Sequence, residues 1–413
     1  MRTIVKNIGL LATPLGKQAQ KGQDQANILF KENAYIVIED EIISEVGSGK
    51  QINWQEDQTT TIVDAQKQLV TPGLVDAHTH LVFGGWRQKE LPLKLKGSSY
   101  LEILAAGGGI LSTVKNTQTE SEDNLFTKAS SLLDNMLKHG TTTCEVKSGY
   151  GLTVEDEVKS LRVIKKLSQK HLVDIAATFM GAHAVPTEYK DKQSEYVKLV
   201  CEQMIPCIAK EKLAEFCDVF CETGVFSVEE SRQILKCGLE HGLQAKIHAE
   251  EITELGGTKL AGEIGAISAE HLIHASKEGI EALANGKTTA VLLPGTSFYL
   301  NEAFANARQM IGTGVPIAVA TDFNPGSCPC ESLQMPMTLA CLKYRLYPEE
   351  ILTAVTLNAA AAIDRSEHIG SIEEGKQGDI IIWEAPDLNY LFYRWGINQV
   401  KKVIKKGQCC VAF

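Results

Sequence analysis

The fold is decided by one segment of the chain, which reads Val70-Thr71-Pro72-Gly73-Leu74-Val75-Asp76-Ala77-His78-Thr79-His80. Its apolar residues are typical of a short buried strand, and two histidines follow where that strand ends. Because His78 and His80 are two residues apart, their side chains point to the same side of an extended chain and can share one metal ion. A His-x-His pair alone is weak evidence, so its meaning depends on the strands around it.

Beyond this segment, short apolar strands alternate with amphipathic helical stretches through the middle of the chain. This alternation indicates βα units and a parallel sheet. Eight such units fit a TIM-like (β/α)8 barrel with insertions. A doubly wound open sheet is the alternative, and the lack of a nucleotide-binding loop makes it the weaker one. The eight strand candidates lie near residues 69–75, 141–146, 174–179, 218–221, 244–247, 266–270, 288–293 and 316–320.

Both ends of the chain are rich in strand patterns instead. Residues 34–46 predict two strands around a polar turn, and residues 379–383 and 400–404 predict two more. We therefore expect an α/β protein: a barrel over residues 69–362, with a small β-sandwich domain formed by residues 1–68 and 363–413. The basic cluster at 401–406 alternates like the solvated face of a late strand.

Composition excludes several classes of function. The formal net charge of −10 argues against a nucleic-acid-binding protein, which would normally carry a basic face. The longest apolar runs are far shorter than the roughly 20 residues needed to span a bilayer, and the first residues lack a secretory pattern. The 11 cysteines include no Cys-x-x-Cys pair and are typical of reduced thiols. We expect a cytoplasmic protein that binds neither nucleic acid nor membrane.

The predicted strand ends carry most of the residues with useful chemistry. In a barrel these ends form the catalytic face. Imidazole and carboxylate groups from separate strands suit zinc or another borderline divalent metal, with a position left for water. The chemistry-bearing residues at these ends are His78, His80, His183, His248, Glu251, His271 and Asp322.

The remaining motifs point to no other chemistry. Five histidines lie in predicted helices or loops and are expected to be structural: His139, His171, His241, His274 and His368. P-loop, zincin and serine-hydrolase motifs lack their central residues. The glycine-containing insertion at residues 84–119 is either a lid over the site or a plain surface loop.

Four motifs carry a family resemblance that extends over essentially the whole chain. Residues 70–80 resemble the opening motif of the amidohydrolase superfamily, and Gly370-Ser371-Ile372-Glu373-Glu374-Gly375 with Gly378-Asp379 resembles its closing motif. More narrowly, Glu145-Val146-Lys147-Ser148-Gly149-Tyr150-Gly151-Leu152 and Thr321-Asp322-Phe323-Asn324-Pro325-Gly326-Ser327 are similar to the imidazolonepropionases of histidine degradation.

The resemblance implies a barrel of the metal-dependent hydrolase type and a cytoplasmic homodimer with one zinc or iron ion per subunit. It implies hydrolysis of the cyclic amide of 4-imidazolone-5-propanoate to N-formimidoyl-L-glutamate. The implied metal ligands are His78, His80, His248 and Asp322. The implied substrate contacts are Arg87, Tyr150, His183, Glu251, Asn324, Gly326 and Ser327. The implied catalytic residues are Glu251, His271 and Asp322.

These roles lead to an expected mechanism. Asp322 can take the proton of the attacking water, His271 can orient that water or stabilise the oxyanion, and Glu251 can protonate the departing ring nitrogen if burial raises its pKa. The proton path among the three stays open. Arg87 suits the propanoate carboxylate, and a salt bridge within the insertion is its alternative role.

A single metal ion is expected rather than two. Dinuclear relatives use a carboxylated lysine from the fourth strand, whereas Lys147 follows the second strand and the fourth ends in Glu222, for which a structural hydrogen-bonding role is expected. Two rival functions remain: a deaminase of the same superfamily, which would release ammonia, and a non-catalytic barrel, which would be expected to have lost metal ligands.

Overall fold

The computed structural model of the chain describes residues 1–49, 59–97 and 108–413. Part of the insertion at 84–119, including Gly107, therefore lies outside the described residues. The strands are β1 (Arg2–Pro14), β2 (Ile28–Glu39), β3 (Ile42–Ser48), β4 (Thr60–Asp64), β5 (Leu69–Pro72), β6 (Leu74–Asp76), β7 (Thr141–Lys147), β8 (Asp174–Ala182), β9 (Phe216–Cys221), β10 (Gln244–Ala249), β11 (Ser268–His271), β12 (Thr289–Leu292), β13 (Ile317–Val319), β14 (Ile380–Trp383), β15 (Val400–Lys405) and β16 (Gln408–Ala412).

Helices surround the parallel strands. Several begin at a Ser or Thr N-cap that accepts a backbone N–H, as Ser121, Thr153 and Ser227 do. The α-helices are Leu91–Leu95, Ile110–Thr119, Glu122–Lys138, Val154–Lys170, Gln193–Leu199, Ile205–Glu211, Val228–Glu240, Gly257–Ile264, Lys277–Asn285, Pro294–Leu300, Ala307–Thr313, Gln334–Tyr344, Pro348–Ala354, Leu357–Ala361 and Leu388–Tyr393. Short 3-10 turns cover Gly22–Ala26, Gln88–Glu90 and Thr187–Tyr189, and a π-helical turn covers Val200–Met204.

Strands β6 to β13 form an eight-stranded parallel sheet in sequential order. Its two edge strands meet just beyond their carboxyl ends, where Thr79 and Phe323 form a parallel bridge. The Asp322 N–H donates to the His78 carbonyl at 3.1 Å, and the His80 N–H donates to the Phe323 carbonyl at 2.9 Å. The sheet is thus a nearly closed barrel, and the predicted (β/α)8 fold is confirmed.

The predicted limits of the first barrel strand are wrong. Residues 69–75 do not form one strand, because Leu69–Pro72 pairs with β1 and β14, whereas the barrel strand starts at Leu74. Gly73 lies at the change of sheet, where a Cβ would fall 2.2 Å from the Thr142 hydroxyl oxygen. Only glycine lets the chain cross there. The predicted domain limits stay a prediction.

The two ends of the chain meet in the second sheet, as expected. Its mixed strands follow the order β16-β15-β14-β5-β1-β2-β3, with β4 paired to β1. A separate apolar core lies against it, including Val5, Ile36 and Ile380. The predicted late strand in the basic cluster is β15, in which Val403 and Ile404 are buried. Among the helices of the described ranges, none is both long and apolar enough to cross a membrane.

Candidate active site

The carboxyl ends of the barrel strands bring the predicted metal-binding side chains into one cluster. His78 and His80 follow β6, His248 lies near the end of β10, and Asp322 follows β13; each is at most 3% exposed. Donor atoms of His78, His80 and Asp322 all lie within 4.8 Å of one another. Residues far apart in sequence therefore come together at the carboxyl-terminal face of the barrel.

The spacing of the donor atoms fits a metal ion. Asp322 Oδ1 lies 3.3 Å from His78 Nε2 and 3.7 Å from His80 Nε2, and the Nε2 atoms of His80 and His248 are 3.4 Å apart. Around a tetrahedral zinc with bonds of about 2.1 Å, neighbouring ligand atoms would be about 3.4 Å apart. The assignment of these four residues as ligands stays a prediction, and their geometry supports it.

Carboxylates behind the histidines hold the rings in position. His78 Nδ1 pairs with Glu270 Oε2, and His248 Nδ1 lies 3.1 Å from Asp218 Oδ1. Each carboxylate thereby holds its ring through Nδ1, which leaves Nε2 facing the cluster. On Asp322, Oδ2 accepts the Thr296 hydroxyl and Oδ1 stays directed at the histidines.

The electrostatics of the cluster favour positive charge. Burial opposes protonation of His78, but the charge of Glu270 and the hydrogen bonds to Asp322 and Glu270 together outweigh it and raise the pKa of His78 to about 9. Burial also works against ionisation of Asp322, yet hydrogen bonding and charge from His78 lower the pKa of that carboxyl to about 2. Asp322 is thus an ionised carboxylate in a pocket that attracts a cation.

Two strand ends have a strained backbone beside the cluster. His271 has φ +70° and Asp322 has φ +54°, in the left-handed region that non-glycine residues seldom occupy. The turns end the strands abruptly and direct both side chains into the mouth of the barrel. Such strain persists only where surrounding structure holds it, and it is often found at active sites.

Glu251 and His271, which are predicted to act as an acid/base pair, lie beside each other. Glu251 Oε2 lies 3.6 Å from His271 Nε2, and the Glu251 side chain is 17% exposed at the mouth of the barrel. Burial, with the nearby Asp322 charge, raises the pKa of Glu251 to about 8. Burial lowers the pKa of His271 to about 3. At neutral pH the carboxyl carries a proton and the imidazole is neutral.

Tyr150 and His183 line the pocket beside His80. The His80 and His183 rings stack with centroids 4.7 Å apart, and Tyr150 lies 5.2 Å from His183. The loop that carries Tyr150 is held by Glu157, whose carboxylate accepts the N–H groups of Gly149, Gly151 and Leu152. Tyr150 therefore lies on a loop held in place by Glu157, and His183, which follows β8, contacts the same loop through the Gly149 carbonyl at 3.1 Å.

The loop after β13 meets Arg87. Asn324 Oδ1 accepts the N–H groups of Gly326 and Ser327 at 2.8 and 2.7 Å, so Asn324 shapes this loop. The Arg87 guanidinium lies against Gly326, where a Cβ would fall 2.0 Å from Nη1. Arg87 also binds Glu90 through Nε and Nη2, both at 2.9 Å. The expected alternative, a salt bridge within the insertion, is thus present beside the site.

Other predicted structural roles also hold. Both oxygens of Glu222 are taken by the loop at Ile252 and Thr253. His139 and His241 bond to helix carbonyls, and His171 bonds to Asp134. These side chains lie away from the cluster, and all 11 cysteines are free thiols.

Sequence reasoning missed the charged residues that support the site. Asp218, Lys246 and Glu270 point into the barrel from β9, β10 and β11, and Glu90 holds Arg87. A signal was present in the strands, because Lys246 precedes His248 by two residues on the same face and Glu270 directly precedes His271. A charge in a buried strand requires a partner.

Fold and site together define a barrel hydrolase with a histidine and aspartate metal centre. The family model for the amidohydrolase family matches residues 69–410. The chain is 49% identical to "Imidazolonepropionase" of Alkaliphilus metalliredigens, covering 99% of this chain and 97% of the relative. It is 50% identical to "Imidazolonepropionase" of Bacillus velezensis, again covering 99% and 97%. The chain belongs to the amidohydrolase family and, within it, to the imidazolonepropionases.

Solved structures agree on the fold. "E. coli Guanine Deaminase" superposes with a TM-score of 0.76 over 100% of this chain and 99% of that chain, at 14% identity. A triazine hydrolase variant gives a TM-score of 0.75 at 16% identity, covering 100% of this chain and 95% of the other. At these identities the likeness establishes the architecture and carries no argument about substrate.

Proposed function

We propose that the chain hydrolyses the ring amide of 4-imidazolone-5-propanoate to N-formimidoyl-L-glutamate, the third step in the degradation of histidine to glutamate. The observation that carries the proposal is the match to imidazolonepropionases along almost the whole chain. In the structure, the barrel strand ends of this chain also bring histidine and aspartate side chains together in a compact cluster. Members of the amidohydrolase family are metal-dependent hydrolases.

One divalent ion per subunit, zinc or iron, would be held by His78, His80, His248 and Asp322, since imidazole and carboxylate donors suit both metals. When bound, the ion supplies Lewis acidity and lowers the pKa of water toward neutrality. The Nε2 atoms of the three histidines are directed to one point because Glu270 and Asp218 hold two of the rings from behind.

Three side chains would move or hold the protons. Asp322 is ionised and accepts the proton of the attacking water, while Thr296 holds its other oxygen. His271 is neutral and would donate a hydrogen bond to the oxyanion that develops on the ring carbonyl. Glu251 carries a proton at neutral pH and delivers it to the departing ring nitrogen.

Arg87 would bind the propanoate carboxylate of the substrate. Its guanidinium lies between Glu90 and Gly326, with Nη1 directed at the loop after the last barrel strand. Tyr150 stands across the same pocket, where burial and the Asp322 charge outweigh the opposing charge of Arg87 and keep its pKa far above the ordinary value. The Tyr150 hydroxyl is therefore a neutral donor for an anionic substrate.

The protein is also proposed to act as a cytoplasmic homodimer, as the family resemblance implies, without binding nucleic acid or membrane. Analytical ultracentrifugation tests the dimer. A single species with twice the mass of the chain is the expected result, and a monomer at the concentration of the assay would contradict it.

The reaction itself is tested with freshly generated 4-imidazolone-5-propanoate under anaerobic conditions. We expect loss of substrate absorbance, formation of N-formimidoyl-L-glutamate and no ammonia, because ring opening breaks the amide and leaves the formimidoyl nitrogen in the product. Release of one ammonia per turnover would favour the deaminase alternative instead. A folded, metal-loaded sample without turnover would contradict the proposal.

A further inference from the structure

A layer of charged side chains fills the barrel beneath the histidine cluster. In most barrels the inward-facing layers are filled by branched apolar residues. Here five side chains with no solvent exposure replace them, contributed by strands β7, β9, β10 and β11. They are Glu145, Lys147, Asp218, Lys246 and Glu270.

Lys147 lies at the centre of this layer. Its ammonium is 2.7 Å from Glu145 Oε1, 2.8 Å from Asp218 Oδ2 and 3.0 Å from Glu270 Oε2. Three carboxylates from three strands thus converge on one buried cation. Carboxylate oxygens are also the donors that a hard divalent ion prefers.

The same carboxylates approach the histidine cluster from the other side. Donor atoms of Asp218, His248 and Glu270 lie within 4.8 Å of one another, which is a second group with metal-binding spacing. Asp218 and Glu270 therefore connect Lys147 with the rings proposed to bind the first ion. Two-metal sites place their ions about 3.5–4 Å apart.

The charges balance with one divalent ion. The four carboxylates of Asp322, Glu145, Asp218 and Glu270 are matched by two ammonium groups and a single divalent cation. A second divalent ion beside an intact Lys147 would leave excess positive charge in a site without solvent, which is costly.

We propose that the Lys147 ammonium occupies a latent second divalent-cation site, formed by Glu145, Asp218 and Glu270, and thereby restricts the centre to one ion. This inference rests on the proposed metal centre. It concerns the number of ions held, and metal counting tests it independently of turnover.

The test replaces Lys147 with methionine, which keeps an unbranched side chain of nearly the same length and removes the ammonium group. The native protein and Lys147→Met are loaded with Zn²⁺ and dialysed against excess Mn²⁺. A second dialysis against metal-free buffer removes unbound Mn²⁺, and the number of each metal ion per chain is then measured. Zinc should remain at the histidines because imidazole sites prefer it to manganese. We expect one Zn²⁺ and no Mn²⁺ in the native protein, and one of each in Lys147→Met.

Thermal unfolding gives a second readout. Without the ammonium group, the three buried carboxylates of Lys147→Met lack a balancing positive charge, so its midpoint of thermal unfolding should lie below that of the native protein. Adding Mn²⁺ should raise the midpoint of the variant by several degrees. The native midpoint should not respond to Mn²⁺ once zinc is bound.

Two variants serve as matched controls. Lys246→Met removes a lysine that also bonds to main-chain carbonyls and contacts only Glu145 and Glu270, so it should gain no Mn²⁺. Lys147→Met/Glu145→Gln removes the charge of one carboxylate ligand and should lose the Mn²⁺ that Lys147→Met gains.

Two ions in the native protein, or an unchanged number of ions in a folded Lys147→Met, would overturn the inference. If Lys147→Met does not fold without a second cation, it is refolded with Mn²⁺ present; the inference predicts that folded protein is recovered, and failure to recover it would contradict the inference. A native protein without zinc would instead refute the proposed metal centre.

Discussion

At the scale of single residues, neighbouring side chains of the same type have different tasks because their surroundings differ. Glu250 is buried, and its carboxylate accepts the Gly256 N–H and the Thr258 hydroxyl. Glu251, the next residue, points to His271 at the mouth of the barrel. The sequence distinguishes the two glutamates only through the family motif, because their different roles depend on which side chains each one contacts in the folded protein.

This pair gives a direct test of the acid. Glu251→Gln should lower kcat by about 10²- to 10⁴-fold, the usual contribution of general acid–base catalysis, while metal content is unchanged. Glu250→Gln keeps an oxygen acceptor but loses the charge, so it should lower the midpoint of thermal unfolding and reduce kcat far less. Steady-state kinetics and metal analysis of both variants provide the measurement. Equal losses of kcat in the two would contradict the assignment.

The pH profile belongs to the same prediction. Burial raises the pKa of Glu251 to about 8, so the carboxyl holds its proton below that pH and loses it above. An acid that must donate a proton is therefore active below pH 8, and kcat/KM should fall as pH rises through about 8. In Glu251→Gln this alkaline limb should vanish. A limb that persists unchanged in the variant would point to a different titrating group.

Arg87 is predicted to act through substrate binding. Removing a charge-assisted, bidentate hydrogen bond costs about 1.5–3 kcal/mol, so Arg87→Ala should raise KM by roughly 10- to 150-fold with a smaller effect on kcat. Arg87→Lys should recover only part of the loss because an ammonium lacks the planar fork. Initial-rate kinetics check this, and an unchanged KM in Arg87→Ala would limit Arg87 to its salt bridge with Glu90.

At the scale of elements, the site depends on a contact between the loop after the first barrel strand and the loop after the last one. Gly326, after the last strand, leaves room for the guanidinium of Arg87, which follows the first strand. Gly326→Ala would place a methyl group 2.0 Å from Nη1, so the guanidinium must move. We expect KM to rise toward the Arg87→Ala value while zinc content stays the same. Gly312→Ala is a control for the glycine change, since no atom lies within 4 Å of its Cβ position and its φ is not in the left-handed region. It should leave KM unchanged, and a native KM in Gly326→Ala would contradict this prediction.

The strand patterns predicted the elements well because apolar periodicity reports burial directly. They failed where two sheets share one stretch of chain: Leu69–Pro72 and Leu74–Asp76 are equally apolar, and only the close approach at Gly73 shows the change of partner. The strand-end histidines were predictable because the fold places those ends together. The roles of Asp218 and Glu270 were not, since their histidine partners lie on strands distant in sequence.

At the scale of the whole molecule, charged contacts join the barrel to the terminal sheet. Asp174 begins β8 and binds Lys405 of β15 at 2.7 Å and Lys406 at 2.9 Å. Burial alone would raise the pKa of Asp174, but the charge of Lys405 and the hydrogen bonds from Lys405, Gln377 and Lys406 together outweigh it and lower that pKa. The ion pair therefore joins the two sheets most strongly when Asp174 is ionised.

This contact predicts part of the acid sensitivity of folding. A carboxyl with a lowered folded-state pKa contributes stability above its unfolded value of about 3.9 and loses it as pH falls through the folded pKa. Asp174→Asn should thus lower the midpoint of thermal unfolding at neutral pH, and the difference from the native protein should shrink below about pH 4. Asp123→Asn removes an exposed ion pair and serves as the surface control, with little expected effect. A difference for Asp174→Asn that is constant with pH would contradict the role given to this pair.

The central claim is that one divalent ion at the histidine and aspartate cluster is needed to open the imidazolone ring. The most direct measurement removes the metal with a chelator, restores Zn²⁺ or Fe²⁺ in steps, and records bound metal, turnover of 4-imidazolone-5-propanoate and ammonia in each sample. Turnover should be absent without metal, should rise linearly and reach its maximum at one ion per chain, and should release no ammonia. Full turnover in the metal-free, folded protein, or a maximum reached only at two ions, would contradict the account.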